Sequence, residues 1–155
     1  MSSSQAEASL APAEPDHPGD PAALALLQGL CTRPHDHVLV LGTGSIELVC
    51  GLIRAGSRAV IELRGDTRPD AGSADLVLVP QLRSREQAAR AIAHAWRALG
   101  PGGRVVVRAP AALAGFMAKA LRLHGFTDLQ RRDGGFGPVL AATLAVQRHP
   151  GRASL

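Results

Sequence analysis

The chain has 155 residues, of which 46% are hydrophobic, and it carries a formal charge of +4. This length allows one domain that buries roughly two thirds of the surface of its unfolded chain. The positive charge comes from sixteen arginines and one lysine without a dense run, and aromatic residues make up only 3%, which argues against a surface that stacks nucleic-acid bases. Cys31 and Cys50 form no Cys-x-x-Cys pair, which favours a reduced, cytoplasmic protein.

The first twenty residues are rich in Ser, Ala, Glu and Pro and contain almost no large apolar side chains. Such a segment buries too little apolar surface to fold, so we interpret 1–20 as a disordered leader without the features of a signal peptide. We expect one domain over 21–149 and a short tail over 150–155. Within the domain, the apolar stretch 22–30 is too short to span a bilayer, and we expect it to be a helix packed against a sheet.

The cluster His35-Asp36-His37 precedes the first predicted strand. It is the one tight group of potential metal ligands in the sequence, and it could bind a divalent ion weakly. A polar turn before the strand is the interpretation that we favour, so no metal site is assigned.

The apolar run Val38 to Leu41 leads into Gly42-Thr43-Gly44 and then into a predicted helix over 46–55. Such a run predicts a buried parallel strand that feeds a helix, with glycines that permit a tight turn and the close approach of a ligand. The first N–H groups of the helix favour polar or anionic groups. Glu47 stands where the third glycine of a dinucleotide fingerprint would fall, and its charge argues against NAD or FAD.

The second predicted strand, Arg58 to Glu62, ends on an acidic residue about twenty positions after Gly42. A carboxylate at this point of a nucleotide-binding fold can accept hydrogen bonds from both hydroxyls of a ribose. The alternative is a solvated charge at the end of a strand. The sequence leaves both interpretations open.

A third apolar strand, Ala74 to Val79, precedes the clearest helix signal of the chain. Pro80 ends the strand because proline cannot continue a central ladder. Ser84 and Gln87 have the spacing of a capping box, which predicts that a helix begins here, and Gly100 is predicted to be the left-handed residue that ends it. The apolar residues of this helix that we expect to face the core are Ala88, Ile92, Ala95, Trp96 and Leu99.

The remaining segments predict one strand, one helix and a hairpin. The strand is Arg104 to Arg108, and the helix after Pro110 closes at Gly125. The turn between the last two strands, 126–132 and 139–147, is too short for a parallel return, so we expect them to pair antiparallel. The inward residues predicted for the helix are Leu113, Phe116, Met117, Ala120 and Leu121.

From about Val38 to Arg148, the chain resembles a class I S-adenosylmethionine-dependent methyltransferase domain. The resemblance is carried by the Gly42-Thr43-Gly44 turn with Glu62 beyond it, by the Leu-Gly-Pro-Gly-Gly turn within 96–107, and by Gly125-Phe126 before the hairpin. It implies an α/β, Rossmann-like, mostly parallel sheet with a C-terminal antiparallel hairpin. It also implies S-adenosylmethionine as the cofactor, lying across the carboxyl ends of the first strands.

The resemblance also implies which residues form the site. Members of the family commonly contact the methyl acceptor just after their fourth strand, where Gln81 is the polar candidate of this chain. The Asn/Asp-Pro-Pro-Tyr/Phe motif that nucleic-acid and protein amide methylases carry at this point is not present, which argues against methylation of nucleic-acid bases. Methyl transfer needs no dedicated base, because the sulfonium already activates the methyl group and the protein mainly positions the reactants. The cofactor-binding residues that the resemblance implies are Gly42, Thr43, Gly44, Glu62 and Asp66.

Three departures from the family pattern separate two functional hypotheses. Val40 stands where the family has an acid that helps to hold the methionine moiety, and Ile46 stands where a third glycine is common. In addition, only twelve residues separate Glu62 from Asp75, which are too few for the helix and strand that the family usually has in this interval. These departures favour a non-catalytic binding or assembly module. The retained glycines and Glu62 favour a minimal methyltransferase that modifies a small molecule.

Loss of that unit makes Arg58 to Arg64 the predicted edge of the sheet. An edge strand with unpaired backbone groups around Val60 is a template for pairing, so we expect a homodimer through this strand. A proline at Ile61 should then disrupt the dimer by removing a ladder donor. The leader or the loop Thr67 to Ser73 are the alternative covers for the edge.

Overall fold

The computed structural model describes residues 33, 35–42, 46–65, 67–135 and 137–145. The strands of this part of the chain are β1 His37–Leu41, β2 Ala59–Leu63, β3 Ala74–Val79, β4 Leu99–Arg108, β5 Phe126–Arg132 and β6 Val139–Leu144. Its helices are α1 Ile46–Arg54, α2 Arg85–Ala98 and α3 Ala111–Leu123. The leader, the 22–30 helix and the 150–155 tail predicted above lie outside the described residues.

The strands form one sheet in the order β2-β1-β3-β4-β6-β5. The first four strands of this order are parallel, and β6 runs antiparallel to both β4 and β5. The predicted α/β fold, a mostly parallel sheet with a C-terminal antiparallel hairpin, is therefore confirmed. The second predicted strand is also confirmed, although it continues one residue beyond Glu62 to Leu63.

Helices cover both faces of the sheet. On one face, Leu48 and Leu52 of α1 pack with Val40 of β1. On the other face, α2 and α3 contribute Ile92 and Met117 to the larger core cluster. Strand side chains alternate between these faces, so the continuous apolar runs of β1 and β3 reflect strands that are buried on both sides.

The connection from β2 to β3 is short and contains no helix or strand in its described residues. It packs instead against the end of α2, where Arg97 Nε donates to the carbonyl of Pro69 at 2.8 Å and Gly72 N–H donates to the carbonyl of Arg97 at 3.0 Å. The predicted loss of one helix and strand is thus confirmed. As a consequence, β2 lies at the edge of the sheet.

The side chains of Asp36 and His37 contact different partners. The Asp36 carboxylate is buried and contacts Arg104 Nη2 at 2.5 Å while accepting a hydrogen bond from Arg33 N–H at 3.0 Å. His37 Nδ1 lies 3.3 Å from a carboxylate oxygen of Asp75 on the neighbouring strand β3. Within the described residues, no three His, Cys, Asp or Glu side chains come together as a metal site would require.

Two details of the predicted α2 segment are wrong. Trp96 is 47% exposed, because the buried stripe of α2 consists of alanines and Ile92 and places Trp96 at its margin. Gly100 does not end the helix in a left-handed conformation: the cap is Leu99, which is extended and already pairs with Ala74, and the left-handed residue is Gly102, with φ +82°. The strand predicted over 104–108 therefore begins five residues earlier.

The capping box and the C-terminal hairpin agree with expectation. Ser84 Oγ accepts a hydrogen bond from Gln87 N–H at 3.1 Å, and Gly125 is left-handed after α3. Met117 and Leu121 are fully buried. No helix in the described part of the chain is long and apolar enough to cross a membrane.

Candidate functional site

The predicted glycine turn begins at the carboxyl edge of the sheet, which is where the parallel strands β1, β2 and β3 end. Gly42 follows β1 with φ +99°, and its N–H donates to the carbonyl of Leu63 at the end of β2 at 2.9 Å. Among the described residues that are not its chain neighbours, none has an atom within 4 Å of the position that a Cβ of Gly42 would occupy. The backbone is therefore open to a ligand at this point. Thr43 and Gly44 lie outside the described residues.

Two clefts open at this edge, between the strand ends and the first turns of α2. The first has a volume of about 200 Å³ and the second about 270 Å³. Both are lined by Leu41, Gly42 and Gln87, so they adjoin one another. Their combined size reaches the range of roughly 300–1,000 Å³ that is usual for small-molecule sites.

The first cleft has an apolar floor and a polar wall. Leu63, Val79 and Leu82 supply apolar surface from the strand ends and the loop after β3. Arg90 and His94 of α2 line the same cleft. This combination suits a flat, largely apolar ligand group that also carries polar atoms.

The second cleft is formed by the loop after β3 and the start of α2. Gln81 lines it and is exposed, which places the residue predicted to contact the methyl acceptor beside Gly42. Arg83 also lines it, and the N–H of Arg83 donates to Gln87 Oε1 at 2.7 Å. Arg108 Nε donates to the carbonyl of Pro80 at 2.8 Å, which holds the loop against β4.

Glu62 lies beside the clefts without lining either of them. It is the register partner of Val40 in the β1–β2 pair. The next residue, Leu63, has its side chain on the other face of the sheet and lines the first cleft. One Glu62 carboxylate oxygen lies 3.2 Å from Arg64 Nη2. The structure thus brings Glu62 close to Gly42 along the strand ends. Asp66 lies outside the described residues.

Val40 belongs to the interior of the protein. Its side chain is fully buried with Leu48 and Leu52 of α1. At the position where the family resemblance implies an acid, the chain therefore provides only apolar packing.

Sequence reasoning missed Gln87, Arg90 and His94. Their spacing of three and four residues places them on one side of α2. The capping box indicated that α2 begins shortly after β3, which was a usable signal that its first turns face the strand ends. Which side of the helix meets the clefts depends on how α2 packs on the sheet, and the local pattern does not specify this.

Comparisons with protein-family models and with curated proteins find no match. Among solved structures, the chain is similar to a TehB-like SAM-dependent methyltransferase from Corynebacterium glutamicum, with 17% identity, coverage of 94% of this chain and 97% of the other, and a TM-score of 0.64. It is also similar to a ribosomal protein L11 methylase from Lactobacillus delbrueckii subsp. bulgaricus, with 16% identity, coverage of 81% and 77%, and a TM-score of 0.65.

A third similar structure is a SAM-dependent O-methyltransferase from Thermotoga maritima, with 15% identity and a TM-score of 0.63. The match covers 82% of this chain but only 66% of that one, so this chain spans slightly less than two thirds of that enzyme. The strand order, the antiparallel hairpin and these similarities agree with one another. This protein has the class I methyltransferase-like, Rossmann-like fold.

Proposed function

We propose that the protein binds S-adenosylmethionine at the carboxyl edge of its sheet and transfers the methyl group to a small-molecule acceptor. The observation that carries this proposal is the open backbone at Gly42 beside two adjoining clefts. Parallel α/β sheets bind their ligands at this edge. Two of the similar structures with this fold are named SAM-dependent methyltransferases, which supports the choice of cofactor.

The residues at the carboxyl edge of the sheet suit the nucleoside half of the cofactor. Leu63 and Leu82 offer apolar surface to an adenine, and Glu62 can accept hydrogen bonds from ribose hydroxyls once Arg64 turns aside. Arg64 is exposed, so this movement exchanges a weak surface ion pair for hydrogen bonds to the ligand. The bound cofactor would supply an activated methyl group. Thr43, Gly44 and Asp66 remain predicted contacts.

The charge at the second cleft favours an acceptor that carries an acidic group. Arg83 is the ionisable residue that lines this cleft in the described part of the chain. Gln81 lies at the mouth of the second cleft and can position the acceptor through its side-chain amide. We therefore propose a small carboxylate or phosphate ester as the class of acceptor.

The second candidate function is a methyltransferase-like module that binds or assembles without catalysis. One specific observation favours it: Val40 is fully buried and provides an apolar side chain at the position where the family resemblance implies an acid. In this alternative the fold is retained for its surfaces. Binding of the intact cofactor separates the two candidates, because only the enzyme requires it.

The variant Glu62→Gln tests the ribose contact. Loss of hydrogen bonds to a charged acceptor should cost about 1–3 kcal/mol, or roughly 5- to 150-fold in the dissociation constant of S-adenosylhomocysteine. Asp133→Asn is the matched control, because Asp133 is also an acid paired with an arginine two residues away, at 2.9 Å, and it lies far along the chain from the clefts. Equal affinities for the wild type and both variants would remove Glu62 from the site.

A further inference from the structure

The edge strand β2 offers backbone hydrogen-bonding groups that no strand uses within the described chain. Leu63 is the register partner of Leu41, and its carbonyl accepts from Gly42 N–H at 2.9 Å. In a parallel ladder this geometry means that Leu63 and, by alternation, Ile61 direct both backbone groups toward β1. Val60 and Glu62 therefore direct their N–H and C=O groups outward, away from the sheet.

Within the described residues, the opposite edge of the sheet is protected by a bulge that β2 lacks. Strand β5 is interrupted by a bulge between Thr127 and Gln130, has Asp128 at φ +54°, and ends in two arginines. Bulges and charges of this kind prevent an edge from pairing with another strand. Strand β2 is regular over its five-residue register with β1 and has no bulge.

The side chains of β2 are sorted by face. Ala59, Ile61 and Leu63 share one face, and Ile61 is 58% exposed there although it is a large apolar residue. Glu62 lies on the other face together with Val60. A strand that pairs with β2 would thus contact Ala59, Ile61 and Leu63 on one face of the sheet, and Val60 and Glu62 on the other.

We propose that the occupant is a second copy of β2, paired antiparallel about a two-fold axis at Ile61. In this register, Val60 of each copy exchanges hydrogen bonds with Glu62 of the other, so all of the outward groups are used. On the apolar face, Ile61 lies opposite its symmetry mate, and Ala59 lies opposite Leu63 of the second copy. Two six-stranded sheets then become one continuous sheet.

Neighbouring registers are less favourable. An axis at Val60 would require the N–H of Arg58, which already donates to the carbonyl of Asp36 at 2.8 Å. An axis at Glu62 would place two carboxylates directly opposite each other. The proposal stands on the edge geometry alone and does not depend on the proposed function.

The geometry also corrects the sequence-based choice of variant. The N–H of Ile61 points toward β1, so proline at position 61 would break the β1–β2 ladder inside each subunit. The expectation that it removes a donor from the dimer interface is therefore wrong. A side-chain change at Ile61 is the cleaner test.

The first experiment is sedimentation equilibrium of the full chain at micromolar concentration. The wild type should have twice the 16.1 kDa mass of the chain. Ile61→Lys should be monomeric with an unchanged circular dichroism spectrum, because it places two ammonium groups opposite each other. Ile53→Lys is the matched control: Ile53 is 57% exposed, lies on α1, which covers the face of the sheet opposite to Ile61, and should leave the dimer intact.

The second experiment tests the register without relying on a charge. In a background with Cys31→Ala and Cys50→Ala, Ile61→Cys should form a disulfide between subunits, because directly opposite residues of a non-hydrogen-bonded pair lie about 4.5 Å apart at Cα. Ile53→Cys should not. A monomeric wild type, a dimer that survives Ile61→Lys, or a dimer that Ile61→Cys fails to cross-link would each overturn the proposal.

Discussion

The buried ion pair between Asp36 and Arg104 should contribute strongly to stability, and Asp36→Ala tests it. The two side chains are only 8% and 16% exposed and lie 2.5 Å apart. They join the residue before β1 to the middle of β4, across β3. Removal of Asp36 leaves the Arg104 guanidinium without this partner in a largely dry environment.

The expected loss is about 3 kcal/mol in the free energy of unfolding. Breaking a buried pair by removing one partner costs about 3–5 kcal/mol, and the slight exposure of Arg104 places this case at the lower end of the range. Asp75→Ala is a close control, because Asp75 also contacts a basic side chain, His37, and also accepts a backbone N–H, at 2.8 Å. Its carboxylate is 55% exposed, so its loss should cost about 0.5–1 kcal/mol.

Urea unfolding followed by circular dichroism measures both values, provided that the dependence on urea concentration stays the same among the variants. The double variant with Asp36→Ala and Arg104→Met should lose less stability than the sum of the two single variants, because the two side chains contact each other directly and their separate losses are not additive. If Asp36→Ala and Asp75→Ala cost the same within experimental error, burial is not what gives the Asp36 pair its strength.

Two further predictions concern the Leu-Gly-Pro-Gly-Gly turn and the ligand. A Cβ on Gly103 would lie 2.9 Å from the Gly100 carbonyl oxygen and 2.8 Å from a methyl group of Leu99. Gly103→Ala should therefore lower the stability by about 1–3 kcal/mol in thermal unfolding. Gly100→Ala is the control: a Cβ there meets no atom of the described residues within 4 Å, so the stability should change by less than about 1 kcal/mol. Because Val40 is buried and apolar, adenosine should compete for the site almost as well as S-adenosylhomocysteine; a preference of a hundredfold or more for the latter, about 2.7 kcal/mol, would mean that another residue holds the methionine moiety.

The order of elements could be predicted from the sequence because its signals are local. Continuous apolar runs mark β1 and β3 as strands buried on both faces, and the spacing of Ser84 and Gln87 marks the start of α2. The short interval between Glu62 and Asp75 was enough to predict that a helix and a strand are missing. Each of these inferences depends on residues that are close together in the chain.

Long-range contacts could not be predicted in the same way. Asp36 and Arg104 are 68 positions apart, and nothing in the His35-Asp36-His37 cluster indicates a partner on β4. The cleft residues Arg90 and His94 are equally hidden, because their place in the site depends on how α2 rotates on the sheet. Trp96 was placed inward on its hydrophobicity, although the alanine stripe of α2 packs closest to the strands.

The sequence indicates several residues that the structure places near the clefts. Gly42 and Gln81 line the clefts at the carboxyl edge of the sheet, and Glu62 lies beside them, next to Arg64. The binding roles of these residues, like those of Thr43, Gly44 and Asp66, stay predictions.

Equilibrium binding of S-adenosylhomocysteine to the wild-type chain, measured by isothermal titration calorimetry, tests the central claim most directly. We expect saturable binding with one site per chain, and competition by adenosine at the same site. If no binding occurs at millimolar ligand, the protein does not use this cofactor, and the fold serves as a non-catalytic module.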